Sequence, residues 1–188
     1  NAAAIDEAVA AGVRVVVIDS DVDSKGGSVR IGTDNVAAGR MSGEAALKTA
    51  QKKIVVGIVN AYAETQNCRE REQGFREVLL GDSRVKGIYA VNVSTDAQAV
   101  DSLGLTGQVH AVSFDSNVNC IELLQTGAVA ALVVQNSYAM GYLGVEKAWQ
   151  VLQGEKFDST ALIDTATTIV TKENMFTMES QKAMFSFG

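Results

Sequence analysis

The sequence predicts an α/β fold, a parallel sheet covered on both faces by helices in three-layer α/β/α lobes. Short, nearly continuous apolar runs recur at residues 13–18, 54–59, 85–91, 109–114 and 129–134, and stretches with helical periodicity separate them. Such runs are what strands buried on both faces require, and short strand–helix–strand connections force the strands parallel. Most of the runs also end in a polar residue, the edge where open parallel sheets bind ligands.

The elements follow in order. Residues 2–11 read as a helix with Ile5 and Val9 on one face, stopped by Gly12, and residues 13–18 as a buried strand. Ser24 to Ser28, with Gly26 and Gly27, is the candidate hinge or crossover. Residues 35–50 form a helix with Asp34 as N-cap, and residues 54–59 a strand leading through a polar loop to a helix at 66–80. A strand at 85–91 and a short helix at 95–103 come next, then a strand at 109–114 and a helix at 117–126 that stops at Gly127. A strand at 129–134 leads into a helix at 138–152 ended by Gly154, and residues 167–170 form the last short strand. Because the chain opens within a helix–strand unit, further elements are expected upstream.

Composition narrows the function. The 188 residues are 47% hydrophobic and 20% charged, ordinary for a globular protein large enough to bury a core. A formal charge of −6 argues against a nucleic-acid partner, and no apolar run approaches the ~20 residues of a membrane span, so no direct membrane insertion is expected. Cys68 and Cys120 lack the number and spacing of a zinc site or disulfide scaffold and read as buried free thiols, with a single disulfide the alternative in an oxidising compartment. There is no proline. His110, the one histidine, starts a strand at the edge opposite the polar strand ends and reads as structural. No serine elbow, Cys–His pair or glycine-rich phosphate loop is present, so neither an enzyme nor a cofactor is expected. Tyr142, Leu143 and Trp149 read as packing residues of the last long helix.

The strand ends carry the chemistry. Asp19, Asn60, Asp115 and the pair Gln135–Asn136 follow four apolar strands, and Arg69 opens the helix after Asn60. An aspartate accepts from adjacent hydroxyls, a guanidinium donates in a fork, an amide does either, and Phe114 offers an apolar face to ring carbons. The set suits a neutral polyol. Any one of these residues alone is as well explained by turn formation and helix capping.

Three stretches also resemble the ribose-binding branch of the type I periplasmic binding proteins, the solute receptors of ABC sugar importers. They are Gly32-Thr-Asp-Asn-Val-Ala-Ala-Gly-Arg-Met-Ser-Gly43, Arg69-Glu-Arg-Glu-Gln-Gly-Phe75, and Val112-Ser-Phe-Asp115 with Val134-Gln-Asn-Ser-Tyr-Ala-Met-Gly-Tyr-Leu-Gly-Val145; Thr171-Lys-Glu-Asn174 resembles the family's ending. The resemblance implies a sugar ligand held by Asp19, Arg69, Asp115 and Gln135 with Phe114 as pocket aromatic, and Asn67 near the mouth. It implies a membrane permease as partner and a periplasmic or extracellular location, with or without a lipid anchor. Ser20 stands where ribose binders often carry Arg, which leaves the sugar open. By the family's chain path, residues 1–25 and 137–163 belong to the N-terminal lobe, and 26–136 and 164–188 to the C-terminal lobe. The fold is then incomplete: upstream strands and one strand–helix unit between Ala99 and Leu103 are missing, and the 188 residues alone are expected to bind sugar weakly or not at all. The effector-binding core of a lactose-repressor-type regulator and an extracytoplasmic sugar sensor are the alternative readings of the same fold.

Overall fold

A computed structural model describes residues 2–60, 62–91, 103–104 and 108–185. The first elements are α1 (Ala2–Ala10), β1 (Val16–Ile18), β2 (Val29–Gly32), α2 (Asn35–Thr49), β3 (Ile54–Val59), α3 (Gln66–Leu80) and β4 (Val85–Val91). After them come β5 (Ala111–Phe114), α4 (Val118–Thr126), β6 (Val129–Gln135), α5 (Ser137–Leu152), β7 (Leu162–Asp164), β8 (Thr167–Thr171) and α6 (Met178–Met184). The helix expected at 95–103 and the gap expected between Ala99 and Leu103 lie outside the described residues, Leu103 apart.

The chain divides into two compact units, Asn1–Asp34 with Asn136–Ala166, and Asn35–Gln135 with Thr167–Gly188. The first boundary therefore lies after Asp34 and not at Lys25. Residues beyond Gly27 remain in the first unit because β2 pairs in parallel with β1, Val17 opposite Arg30.

In the first unit β1, β2 and β7 form a parallel sheet in the order β1-β2-β7, and α5 lies against β1 and β2. Val29 and Ile31 are its buried centre, with Met140 and Val151 from α5. The two-sided burial expected of residues 13–18 does not occur. Val16 and Val17 are half-buried, while Val13 and Ile18 are exposed. Among the described residues β1 is an edge strand with β2 as its one neighbour, so its side chains have less to pack against.

In the second unit β3 and β4 pair in parallel, as do β5 and β6. Burial along β3 alternates, with Val55 exposed, so this strand too is covered on one face rather than two. Strand β6 matches the sequence reading, with Val129 and Ala131 to Val134 all buried. Strand β8 runs antiparallel to β6, Gln135 opposite Thr167, a departure from the parallel expectation. The chain leaves the second unit after Gln135 and re-enters at Thr167, at the same sheet edge. A strand that starts where its neighbour ends must run the other way. The core gathers Ile121, Leu124, Val129, Leu132, Val134, Val170, Met175 and Met184. Asn117 caps α4 by accepting from the Cys120 N–H at 2.9 Å, and Gly127 ends it with φ 89. Both cysteines are free and half-buried rather than buried.

Candidate functional site

The site is built at the carboxyl ends of β5 and β6. Asp115 follows β5 with φ 68, a left-handed backbone that few residues other than glycine adopt. Its N–H still donates to the Val133 carbonyl at 2.9 Å. The ladder thus holds the residue one step past the strand and turns its carboxylate outward, where it is exposed. Asp115 Oδ1 accepts from Gln135 Nε2 at 2.8 Å, and Gln135 Oε1 accepts from Arg71 Nη2 at 2.8 Å. Arg71 Nε donates to Asn35 Oδ1 at 2.8 Å, and its guanidinium stacks 4.7 Å over the Phe114 ring. One cation, one anion, two amides and an aromatic face are joined in a single chain.

The α2–α3 contact places Arg71. A Cβ added to Gly39 would collide with the Arg71 carbonyl, and one added to Gly74 would collide with the Val36 carbonyl. The two backbones meet directly at these glycines. This seats Arg71 against α2 one turn from Asn35, at the edge where β5 and β6 end.

The arginine joined to Gln135 is Arg71, whereas the sequence reading places Arg69 at this edge. Arg69 is exposed, and its guanidinium donates to the Glu64 carbonyl of the preceding loop. Residues two apart on a helix point about 200° apart, so one of the pair can face the strand ends. Gly74 carried the missing signal. It lies three residues after Arg71 on the face that packs on α2. Asn67, one turn before Arg71 on the same face, bonds its own helix start, accepting from the Cys68 N–H at 3.0 Å.

The other strand-end residues separate. Asn60 donates to Glu72 Oε2 at 2.9 Å and so ties β3 to α3. That bond, together with Arg76 at 2.8 Å, holds the Glu72 carboxyl below the usual range, against the opposing effect of burial. Asp19 lies in the first unit, exposed, at the end of β1. Its φ is 63 and its N–H donates to the Ile31 carbonyl at 2.9 Å, the same local geometry as Asp115. A hollow of ≈ 470 Å³ on α3 is lined by Arg69, Glu72, Gln73, Arg76 and Glu77. All five lining residues carry polar side chains, and the hollow is an open groove along α3. Among the described residues no cluster has the ligands for a metal ion, and no helix is long and apolar enough to cross a membrane.

An α/β chain with its polar groups gathered at strand ends has the architecture of a small-molecule binder. A family model, the periplasmic binding protein domain, matches residues 1–98 and 79–156, and the chain belongs to that family, whose members bind solutes and are not enzymes. The ribose import binding protein RbsB of Haemophilus influenzae is 26% identical over 182 residues, covering 81% of this chain and 62% of that protein. RbsB of Escherichia coli is 28% identical over 185 residues, covering 82% and 62%. The chain thus spans about 62% of the length of these relatives. Among solved structures, a carbohydrate transporter solute-binding protein from Agrobacterium radiobacter, in complex with D-arabinose, is 27% identical with a TM-score of 0.84, covering 96% of this chain and 73% of that one. An ABC transporter solute-binding protein from Agrobacterium vitis with bound D-fucose is 25% identical with a TM-score of 0.88, covering 98% and 75%.

Proposed function

We propose that this chain belongs to a periplasmic solute receptor that binds a monosaccharide and delivers it to the membrane permease of an ABC importer. The observation that carries the reading is the chain of bonds from Arg71 through Gln135 to Asp115 beside the Phe114 ring. A sugar presents adjacent hydroxyls that are each donor and acceptor, and a ring with an apolar face. Asp115 accepts from hydroxyls, Arg71 donates to them, and Phe114 stacks on ring carbons. Asp19, at the end of β1, is a strand-end acceptor with the same backbone geometry as Asp115, and Asn67 is an amide on the Arg71 face of α3. The first unit corresponds to the N-terminal lobe and the second to the C-terminal lobe. Relatives that bind ribose, arabinose and fucose support a pyranose or furanose of this size.

Saturation-transfer NMR, which reads weak complexes, tests the ligand class. D-ribose, D-arabinose and D-fucose are each added to the chain, with free amino acids as controls. Saturation of sugar protons that disappears in Asp115→Ala is the expected result. Equal saturation of amino acids, or sugar signals indifferent to Asp115, would overturn the reading.

A further inference from the structure

Arg71 is held by neutral groups, where Arg40, Arg76 and Arg84 of the same unit each pair with a carboxylate. Its Nε donates to Asn35 Oδ1 and its Nη2 to Gln135 Oε1, both at 2.8 Å. These two nitrogens lie along one edge of the planar guanidinium, the edge that a single carboxylate could span. Two amide oxygens from different elements take it here, and the Phe114 ring lies 4.7 Å from the guanidinium carbon. Among the described residues Arg71 has no carboxylate partner and its Nη1 has no bonded acceptor.

Asn35 is the first residue of α2, and it is buried. Asn117 and Asn136 use their Oδ1 atoms on their own helix starts. Asn35 Oδ1 reaches across to α3. The contacts at Gly39 and Gly74 fix the Arg71 backbone, but a long side chain still needs an anchor to hold one rotamer. We propose that Asn35 is a positioning residue for Arg71. It fixes the guanidinium over Phe114 before ligand arrives, with the charge not spent on a carboxylate and Nη1 left to donate to a hydroxyl. Ordering the side chain in advance lowers the entropy lost on binding. The nature of the ligand rests on the sugar-binding reading above; the positioning rests on the bonds alone.

Proton–nitrogen NMR of the ligand-free chain tests the positioning. The Arg71 Nε–H, assigned by its loss in Arg71→Lys, is expected as a resolved, slowly exchanging signal. It should collapse into the averaged signal of exposed arginines in Asn35→Ala and persist in Asn35→Asp, which keeps an oxygen in place. The Arg84 Nε–H, bonded to Asp82 in the same unit, reports retained fold. Asn35→Leu, similar in size and without an acceptor, is the second variant should Asn35→Ala lose that signal. A D-ribose titration should show affinity reduced roughly 2–10-fold in Asn35→Ala, the cost of ordering one long side chain, and largely restored in Asn35→Asp. An Arg71 signal unchanged without the acceptor, or lost equally in Asn35→Asp, would overturn the proposal. So would equal ribose affinity in wild type and Asn35→Ala. A wild type that binds no ribose, while Asn35→Ala still loses the Arg71 signal, would overturn the sugar reading and leave the positioning standing.

Discussion

Asp19 and Asp115 share one backbone signature: positive φ, an N–H kept in the ladder of the neighbouring strand, and an exposed carboxylate. A left-handed residue with a Cβ costs about 1–2 kcal/mol, least for Asp and Asn, so the conformation is maintained for what it presents. Asp19→Gly should keep or raise stability, while Asp19→Val should lower it by about 1–2 kcal/mol. Equal urea midpoints for the two variants would refute the strain argument. A second residue-scale prediction concerns Asp82. The Arg84 guanidinium and N–H hold its carboxyl at about 2, below the ordinary carboxylate range. Because the folded value is depressed, the contribution to stability is full above the ordinary carboxylate value and is lost as pH falls toward about 2. Arg84→Gln should return the Asp82 carboxyl toward the ordinary range in an NMR titration. An unchanged titration would show that Arg84 is not the cause. Both aspartates that end strands were legible in the sequence as polar residues after apolar runs. Their positive φ was not, because nothing in an Asp codon-by-codon pattern separates a turn from a strained strand end.

At the scale of elements, the α2–α3 contact decides where the site's cation goes. Gly39 and Gly74 let the two helix backbones touch. Gly74→Ala should destabilise the second unit by about 1–3 kcal/mol despite alanine's better helix propensity, since the helices must part. Gly141→Ala on α5, where an added Cβ meets nothing within 4 Å, should instead stabilise by roughly 0.5–1 kcal/mol. Chemical denaturation of the two variants separates the effects, and a neutral Gly74→Ala would contradict close packing. This contact also explains why Arg71 rather than Arg69 is bonded to Gln135. The Arg69-Glu-Arg71 run marks the right helix turn, but helix rotation selects one arginine, and that depends on which face packs. The glycines carry this information and only a pairing of α2 with α3 releases it. Burial failed to be legible for the same reason. Residues 13–18 and 54–59 are apolar enough for two-sided burial, yet their exposure depends on which neighbours are present. For β6, with a neighbour on each side, pattern and burial agree.

For the molecule as a whole, the alternation of strands and helices was enough to predict the α/β class, and the family match agrees with it. The boundary between units was harder. Glycines at 26 and 27 suggest a hinge, while the pairing of β2 with β1 carries the first unit on to Asp34. The central claim is that sugar recognition by the second unit runs through Arg71, Gln135 and Asp115. Amide and side-chain NMR shifts during a D-ribose titration test it most directly, with Arg71→Ala and Arg69→Ala measured in parallel. Loss of a hydrogen bond to a charged group is worth about 1.5–3 kcal/mol, so Arg71→Ala should weaken binding roughly 10–100-fold. The account predicts shifts centred on Asp115, Gln135, Asn35 and Arg71, abolished in Arg71→Ala and retained in Arg69→Ala. Shifts centred on Arg69, or a response that survives loss of Arg71, would contradict it.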